Sequence, residues 1–260
     1  MGTHFPDALR IERRGVISST QDALRTELEA GRDVHGLLVR AEAQTKGKGR
    51  QERQWLSGPG GSYQTVAVRD DQGELRSGRV PLAIAVGIAE SFLQRGEKLM
   101  LKWPNDLYRP RDAPAGSTPR GAKGARKGQP YGSLPGKVGG ILCEHLRGHL
   151  LVGVGINVRN ELPKDAAAFA NLRVEDVSNI VLGGIRSGLT TVLPDPQLPA
   201  RFARHDLLLG RSLVVQEGER RLLGRAAGVS SEGCLVLATE AGQIETCSGR
   251  IVEIEAAAYQ

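Results

Sequence analysis

The spacing of hydrophobic and polar residues predicts alternating helices and strands over the first 160 residues. Ser19 and Thr20 can cap a helix through QDALRTELEAG, where Leu24 and Leu28 lie four residues apart and Gly31 can end it. Apolar residues with strand-like or helical spacing continue after this segment. Strands are predicted at 35–43, 62–68, 98–103, 137–144 and 149–158, and a second helix at 82–93.

The pattern changes near residue 200. The segment 161–204 is predicted to be mainly helical and is broken by four prolines, which mark a domain boundary. From residue 207 onward, short apolar runs alternate with turn residues, a pattern typical of a small SH3-like barrel. The predicted fold class is α+β: a mixed β-sheet with packed helices in a catalytic domain at 1–205, followed by a small SH3-like β-barrel at 206–260.

The formal net charge is +6, and most of it belongs to one segment. Segment 109–136 is rich in glycine and proline and contains six basic residues against one acidic residue. Such a composition cannot bury enough apolar surface to offset the entropy lost on ordering. We therefore expect a flexible basic insertion within the catalytic domain, either a solvated loop or a weak contact for acidic partners.

The sequence carries no feature of a membrane or secreted protein. It has no apolar run of the roughly 18 residues that a transmembrane helix needs, and no N-terminal apolar run long enough for a signal peptide. Its three cysteines, Cys143, Cys234 and Cys247, are far apart and form no Cys-x-x-Cys motif. We therefore expect free thiols, no disulfide or zinc site, no membrane partner and a cytoplasmic location.

A glycine-spaced basic loop, QTKGKGRQERQW at 44–55, is the first candidate for chemistry. Gly47 and Gly49 allow a ligand to approach the backbone closely, and Lys48, Arg50 and Arg53 supply cations around it. This combination suits a phosphate-bearing ligand. It is not the nucleotide P-loop GxxxxGK[ST], and an ordinary solvated loop is the alternative.

Three further candidates lie in or beside strands. In KWPND, Pro104 ends a strand and leaves Asn105 and Asp106 at its edge, where small-ligand sites concentrate; a self-capping Asx turn is the alternative. In KVGGILCE, Lys137 could neutralise charge developing on a phosphate; a gatekeeping edge lysine is the alternative. In GVGIN, Asn157 could offer its amide to a base or sugar, or be a satisfied buried residue.

Taken in order, these motifs resemble the biotin protein ligase family. Ser-Thr-Gln, GKGR…W, KWPND, K-x-x-GIL-x-E and GVGIN follow one another over 18–158, and the SH3-like tail stands in its expected place. The resemblance implies ATP-dependent activation of biotin to biotinyl-5′-AMP and transfer of biotin to a specific lysine of a biotin carboxyl carrier protein, such as that of acetyl-CoA carboxylase. Biotin and ATP are then substrates, and Mg²⁺ is expected with them.

The resemblance also implies roles for individual residues. Lys137 and Arg50 are the implied catalytic residues, and Asp106 is the candidate for orienting the site or its Mg²⁺. Biotin binding is implied for Ser19, Thr20, Gln21, Gln44, Lys48, Gly49, Arg50 and Lys137, and ATP binding for Arg50, Arg53, Lys102, Asn105, Lys137 and Asn157.

Three positions depart from the family pattern. Lys48 stands where the family has an arginine, and it keeps the charge but loses the bidentate fork. Glu52 replaces a glycine, which adds a negative charge near a phosphate site and removes freedom at positive φ. Gln21 replaces an asparagine. We expect these changes to weaken the retention of biotin or its adenylate.

Two other functions stay open. A lipoate–protein ligase-like acyl transferase would share the fold and chemistry, although GKGR, KWPND and the SH3-like tail speak against it. A catalytically weak biotin-binding or sensor protein would result if Lys48 and Glu52 disable the loop.

Only about 17 residues precede Ser18, too few for a helix-turn-helix domain, so we expect the monofunctional type without specific DNA binding. A homodimer is left open.

Overall fold

The computed structural model describes residues 5–109, 135–164 and 166–254. Most of the predicted insertion at 109–136 therefore lies outside the described residues. The helices are α1 (Thr20–Glu29), α2 (Arg79–Leu93), α3 (Val174–Ser187) and α4 (Leu198–Ala203), with a 3₁₀ turn at Glu74–Arg76 and a π-helical turn at Gly188–Val192. The strands are β1 (Arg10–Ile17), β2 (Leu37–Gln44), β3 (Ser62–Arg69), β4 (Met100–Lys102), β5 (Asp106–Arg109), β6 (Gly136–Leu146), β7 (His149–Ile156), β8 (Ser212–Glu217), β9 (Arg220–Val229), β10 (Leu235–Thr239), β11 (Gly242–Thr246) and β12 (Arg250–Ile254).

A seven-stranded mixed sheet has the strand order β1-β2-β3-β7-β6-β5-β4. β1 and β2 are parallel, and each other neighbouring pair is antiparallel. Side chains of β7 alternate between the two faces: Leu150, Val152 and Val154 join the main core, whereas Leu151 joins a smaller apolar cluster. The face that carries Leu151 also carries Gly153 and Gly155 of the same strand, so part of it has no side chains.

Helices cover the two faces unequally. α2 and α3 pack together over the main core, and a Cβ on Gly184 would lie 2.5 Å from the Ile88 Cα, so glycine is required where these helices meet. α1 lies on the other face, where Leu24 and Leu28 pack against Val39. Among the helices of the described ranges, none is long and apolar enough to cross a membrane.

The C-terminal part forms a five-stranded antiparallel sheet in the order β11-β10-β9-β8-β12. Trp103 Nε1 donates to the Gly233 carbonyl oxygen at 3.1 Å, which ties this sheet to the first. Leu213 and Leu235 of the second sheet belong to the same apolar core as Leu101 of the first. The α+β class with a second, all-β unit is confirmed, and the boundary at 205/206 stays a prediction.

The differences from the predicted elements have physical reasons. β1 and β5 are not predicted, because no residue of β1 is buried and β5 has only four residues. The mainly helical prediction is wrong for the described residues 161–164 and 166–173, since α3 begins only at Val174. This stretch is instead held along the sheet by hydrogen bonds from the Ala167 N–H to the Lys137 carbonyl (2.9 Å) and from the Phe169 N–H to the Asn157 carbonyl (3.1 Å).

The predicted insertion is too long at both ends. Arg109 is the last residue of β5, is buried, and donates from its guanidinium to the Ala168 carbonyl oxygen at 2.5 Å. The same guanidinium lies 4.6 Å from the centre of the Phe169 ring. Gly136 begins β6, where a Cβ would lie 2.6 Å from the Ala167 side chain. The prediction that both residues belong to a flexible segment is therefore wrong.

The prediction of three free cysteines is wrong for two of them. Cys234 and Cys247 form a disulfide, with their Cα atoms 4.1 Å apart. β10 and β11 form a hairpin in which Leu235 pairs with Thr246, so the flanking cysteines face each other. A separation of 13 residues in sequence thus becomes direct contact. Cys143 is free, and burial raises the pKa of its thiol to about 12.

Candidate active site

One cavity collects most of the predicted site residues. It has a volume of about 560 Å³ and lies on the glycine-bearing face of the seven-stranded sheet, between the N-terminus of α1 and the loop 45–61. Of the predicted site residues, Lys102 does not line it. The predicted residues that do are Ser19, Thr20, Gln21, Gln44, Lys48, Gly49, Arg50, Arg53, Asn105, Asp106, Lys137 and Asn157.

Glycines on β7 make room for the floor of the cavity. A Cβ on Gly155 would lie 2.6 Å from Trp55 Nε1, and a Cβ on Gly153 would lie 2.5 Å from Gln21 Oε1. Close approach is what glycines inside a strand indicate, and here the approaching groups are side chains of the site itself. Any larger residue at either position would push Trp55 or Gln21 out of place.

A chain of hydrogen bonds runs along the floor. Gln44 Nε2 donates to Ser57 Oγ at 2.8 Å, and Gln44 Oε1 accepts from the backbone N–H (2.8 Å) and the hydroxyl (3.1 Å) of Thr20. The Thr65 hydroxyl lies 2.8 Å from Thr20 Oγ1 and 3.2 Å from Gln21 Oε1. These buried and half-buried groups form a neutral surface with fixed hydrogen-bond directions, which suits a small polar ring.

Ser19 holds the first turn of α1 in place beside this chain. Its Oγ accepts from the N–H groups of Gln21 (3.1 Å) and Asp22 (3.4 Å), the arrangement of an N-cap. Ser19 is buried. The cap therefore positions Thr20 and Gln21, and direct contact between Ser19 and a ligand stays a prediction.

The glycine-spaced loop folds back over the cavity. The Trp55 N–H donates to the Gly47 carbonyl at 2.8 Å, and a Cβ on Gly47 would collide with the Trp55 carbonyl oxygen. The Lys48 ammonium forms an ion pair with the Asp22 carboxylate on α1. Gly47 and Lys48 thus fix the position of the loop, in addition to any contact they make with a ligand.

The tip of this loop has an unfavourable backbone conformation. The Gly49 N–H donates to the Arg53 carbonyl at 2.7 Å, and between them Gln51 and Glu52 have φ values of 55° and 58°. This left-handed region costs residues other than glycine about 1 kcal/mol or more. Glu52 therefore adopts positive φ at a conformational cost that a glycine would not carry.

Cationic side chains gather at the other end of the cavity. Lys137 Nζ donates to Asp106 Oδ1 at 2.5 Å and lies 5.3 Å from the centre of the Trp55 ring. Arg50 Nη1 lies 3.4 Å from Asn105 Oδ1, and burial lowers the pKa of its guanidinium. A cationic end beside a neutral floor can hold an anionic group and a polar ring at the same time.

The two predicted asparagines are bonded inside the protein. Asn105 Nδ2 donates to the Ile141 carbonyl oxygen at 2.7 Å, which holds the side chain that contacts Arg50. Asn157 Nδ2 donates to the Ala167 carbonyl oxygen at 3.2 Å, and its Oδ1 accepts from Asn160 at 3.1 Å. Both therefore organise the cavity wall, and contact between either amide and a nucleotide stays a prediction.

Lys102 is a neighbour of the cavity rather than part of its lining. Its ammonium lies 6.0 Å from the centre of the Tyr108 ring, and Tyr108 does line the cavity. Burial lowers the pKa of Lys102, and the charges of Lys137 and Arg53 lower it further, while Asp106 opposes them. Lys102 therefore adds positive potential to the cationic end, and its direct contact with ATP stays a prediction.

Asp106 does not form a metal site with its neighbours. Its carboxylate is bonded to Lys137, and within 5–109, 135–164 and 166–254 no three His, Cys, Asp or Glu side chains are grouped to hold a metal ion. Protein sites for Mg²⁺ usually combine one or two carboxylates with substrate phosphates and water. The residues present do not fit a site in which the protein alone binds Mg²⁺.

Comparison with known proteins decides the family. A model of the biotin/lipoate A/B protein ligase family matches residues 15–160. The chain belongs to this family. This ligase is similar to the biotin–[acetyl-CoA-carboxylase] ligase of Mycobacterium tuberculosis, with 25% identity over 252 residues, covering 91% of this chain and 86% of that protein. It is also similar to the bifunctional ligase/repressor BirA of Escherichia coli, with 25% identity over 236 residues, covering 85% and 67%.

A solved structure supports the same assignment for this ligase. The biotin protein ligase from Aquifex aeolicus, in complex with biotin and ATP, superposes with a TM-score of 0.75 and 26% identity. The match covers 93% of this chain and 97% of that one. Because the match covers nearly the whole of both chains, the likeness of fold includes the C-terminal sheet.

Trp55 and Thr65 line the cavity of this ligase without being predicted. Trp55 lies against Gly155, and its indole N–H is buried and has no hydrogen-bond partner among the described residues. A tryptophan in a polar stretch, one of only two in the chain, is a signal that could have identified it. Thr65 is a fully buried hydroxyl within an apolar strand, and only the strand pairing shows which face it occupies.

Proposed function

We propose that this protein is a biotin protein ligase, which converts biotin and ATP to biotinyl-5′-AMP and then transfers biotin to a lysine of a carrier protein. The observation that carries the proposal is one cavity with a neutral, hydrogen-bonding floor and a cationic end formed by Lys137 and Arg50. Biotin has a polar ureido ring at one end and a carboxylate at the other, so the cavity complements both.

The first step follows from the chemistry of a carboxylate, which is a poor electrophile until it carries a good leaving group. A biotin carboxylate oxygen attacks the α-phosphorus of ATP, a P–O bond forms, and the bond to pyrophosphate breaks. Negative charge on the phosphate oxygens needs fixed positive groups around it. We assign Lys137 and Arg50 to this role, with Lys48 and Arg53 assisting from the loop.

In the second step the lysine amine of the carrier attacks the acyl carbon of the mixed anhydride. The C–O bond to AMP breaks, an amide forms, and the nitrogen loses a proton. The anhydride must be kept from water until then. The loop 45–61 can do this, because Lys48 anchors it to Asp22 on α1 and Trp55 lies against Gly155 in the floor.

A lipoate–protein ligase is the second candidate, and the floor argues against it. Lipoate has a disulfide-containing ring without hydrogen-bonding N–H or carbonyl groups. Binding it against Thr20, Gln21 and Thr65 would leave buried polar groups unmatched, which costs about 1–3 kcal/mol for each group. The Mycobacterium tuberculosis and Aquifex aeolicus proteins compared above are named for biotin.

The carrier and the metal ion follow from the substrates. The Mycobacterium tuberculosis relative is named for acetyl-CoA carboxylase, and we propose a carrier domain of that class as the acceptor here. Mg²⁺ would enter as the complex with ATP, with Asp106 as at most one of the protein oxygens near it. Asp106 is surrounded by cationic side chains, which repel a metal ion. A metal ion is therefore stable beside Asp106 only when phosphates accompany it.

The decisive experiment is transfer of radiolabelled biotin to a biotin carboxyl carrier domain, with and without ATP·Mg²⁺. Lys137→Ala tests the cavity, and Lys98→Ala, an exposed lysine away from the cavity lining, is the matched control. We expect transfer that requires ATP, persists in Lys98→Ala, and falls at least about 100-fold in Lys137→Ala.

Other outcomes have distinct meanings. Tight biotin binding without transfer would contradict the ligase and favour a binding or sensor protein, with Lys48 and Glu52 as the suspected cause. Transfer of lipoate or octanoate in place of biotin would show that the floor has been assigned to the wrong ring. Equal losses in both lysine variants would show that the cavity has been misplaced.

A further inference from the structure

Glu144 lies beside the cavity and is joined to its floor through one side chain. It is on β6, outside the cavity lining, and its Oε2 accepts from Gln21 Nε2 at 2.9 Å and from Arg25 Nη2 at 3.1 Å. We propose that Glu144 is a positioning residue that sets the direction of the hydrogen bonds in the floor, so that the floor accepts the ureido N–H groups of biotin. This inference rests on the proposed function, because it takes biotin as the ligand.

The carboxylate fixes the orientation of the Gln21 amide. A carboxylate accepts hydrogen bonds and cannot donate them, so the amide nitrogen of Gln21 must face Glu144. The carbonyl Oε1 must then face Thr65 and the backbone of Gly153. Gln21 is 3% exposed, so water cannot satisfy a reversed amide.

The other end of the chain is fixed independently. Gln44 Oε1 accepts from the Thr20 backbone N–H, and a backbone N–H can only donate. Gln44 Nε2 therefore faces Ser57, whose hydroxyl donates to the Trp55 carbonyl oxygen at 3.0 Å. The Thr20 hydroxyl, 3.1 Å from the same Gln44 oxygen, is thereby committed as a donor to Gln44.

With both ends fixed, the middle of the floor has more acceptors than donors. The Thr65 hydroxyl has one proton and lies near two oxygen atoms, Thr20 Oγ1 and Gln21 Oε1. Its proton can satisfy only one of them fully, so an oxygen lone pair stays available on Thr20 or Gln21, and both residues line the cavity. A ligand with N–H donors meets this need, and the ureido ring of biotin has two.

The ion pair with Arg25 does not explain why Glu144 is placed here. The side chains of Arg25 and Glu144 are 35% and 28% exposed, and such pairs contribute little to stability. The bond from Gln21 is different, because its donor is buried and has no solvent to replace Glu144. Removing Glu144 should therefore affect the direction of the Gln21 amide more than the stability of the fold.

The test measures KM for biotin, KM for ATP and thermal stability in Glu144→Leu. We expect KM for biotin to rise about 10-fold, the effect of one lost hydrogen bond to a buried group, with KM for ATP unchanged. Arg25→Leu is the matched control, because it removes the ion pair and leaves the Gln21–Glu144 bond; its KM for biotin should stay within about two-fold. Equal effects of the two variants would overturn the proposal.

A reciprocal exchange gives a second, independent test if Glu144→Leu folds poorly. In Gln21→Glu/Glu144→Gln, a carboxylate at position 21 accepts from the amide at 144 and still presents an acceptor oxygen to Thr65. We expect KM for biotin in the double variant to stay within about three-fold of the parent value. A larger rise in KM for biotin, with normal thermal stability, would contradict the assigned direction of the hydrogen bonds.

A cyclic carbamate analogue of biotin, in which one ureido N–H is replaced by oxygen, identifies the group that is recognised. The parent enzyme should discriminate strongly against it, because an acceptor would face an oxygen atom. This discrimination should shrink about 10-fold in Glu144→Leu. If biotin and the analogue weaken equally, Glu144 does not act through the N–H groups. Failure of the proposed function is separable, since the parent enzyme would then show no ATP-dependent transfer of biotin to the carrier domain.

Discussion

The Lys137 ammonium donates to the Asp106 carboxylate across 2.5 Å, at the end of the cavity where Arg50 also lies. Asp106 thus pairs with the lysine that we assign to the α-phosphate. An anionic substrate group that approaches Lys137 has to share it with this carboxylate. The pair therefore sets how much positive charge the cavity offers to a phosphate.

The first prediction follows from this pair. Lys137→Met should lower the transfer rate about 100- to 1,000-fold, because a fixed positive charge is lost where negative charge develops. Asp106→Asn should have a smaller effect, and Lys137→Met/Asp106→Asn should be no slower than Lys137→Met alone, since Asp106 acts through Lys137. Single-turnover biotinylation measures all three, and additive losses would show that Asp106 has a separate role.

The second prediction concerns the negative charge at Glu52. Glu52→Gln should lower KM for ATP by about two- to five-fold at low salt, because an exposed like charge near the phosphates contributes roughly 0.2–1 kcal/mol. The effect should fade as salt screens the charge. Gln51→Gly is the control: it has nearly the same φ, 55° against 58°, and relieves conformation without changing charge. A larger change in Gln51→Gly would assign the effect to the backbone instead.

The third prediction is a pH dependence at Asp206. Burial raises its pKa to about 6, and Oδ2 has no hydrogen-bond partner among the described residues. A raised folded-state pKa means that the stabilising protonated form is complete below pH 3.8, the ordinary value, and is lost as the pH rises through about 6. Asp206→Asn keeps an oxygen for the Leu208 N–H and stays neutral at any pH.

Asp206→Asn should therefore be more stable than the parent at pH 7.5, by about 2–3 kcal/mol, and nearly equal to it at pH 4. Urea unfolding of both proteins at the two pH values measures the difference, which cancels the titration of every other group. An equal gain at both pH values would mean that the amide improves packing or hydrogen bonding and that charge is not involved.

The fourth prediction concerns the disulfide between Cys234 and Cys247. Closing a loop of this length restricts the unfolded chain, and its reduction should cost about 3 kcal/mol in the free energy of unfolding. Thermal unfolding with and without a reductant measures this. Cys143→Ser should show the same sensitivity to reductant as the parent, whereas Cys234→Ala/Cys247→Ala should show none. An unchanged melting temperature on reduction would contradict a stabilising role for the bond.

The sequence predicted the elements that are buried over long continuous runs. α2 has ten buried residues, eight of them consecutive at 82–89, and β3 and β7 are buried along nearly their whole length. β1 has none, because it lies at the sheet edge, so its strand conformation depends on pairing with β2 rather than on its own pattern. Pairing between distant segments also explains why the disulfide was not predicted.

The site residues were predicted by motif, and the structure adds how they are arranged. Gln44 and Thr20 belong to one hydrogen-bond chain, although 24 residues separate them. Glu144 could not be assigned a role from sequence, because its partner Gln21 is 123 residues away. Lys102 is the converse case: the KWPND motif predicted it as a site residue, but it lies outside the cavity lining.

The apolar core that both sheets share has a thermodynamic consequence. Leu101 beside the site and Leu235 in the C-terminal sheet are buried in one cluster, so neither sheet can open without exposing the other's apolar residues to water. The two sheets should then unfold as one cooperative unit. A ligand bound in the cavity would therefore slow hydrogen exchange at amides of β9 and β10, although neither strand lines the cavity. The reason is that β9 and β10 can open only after the ligand has been released.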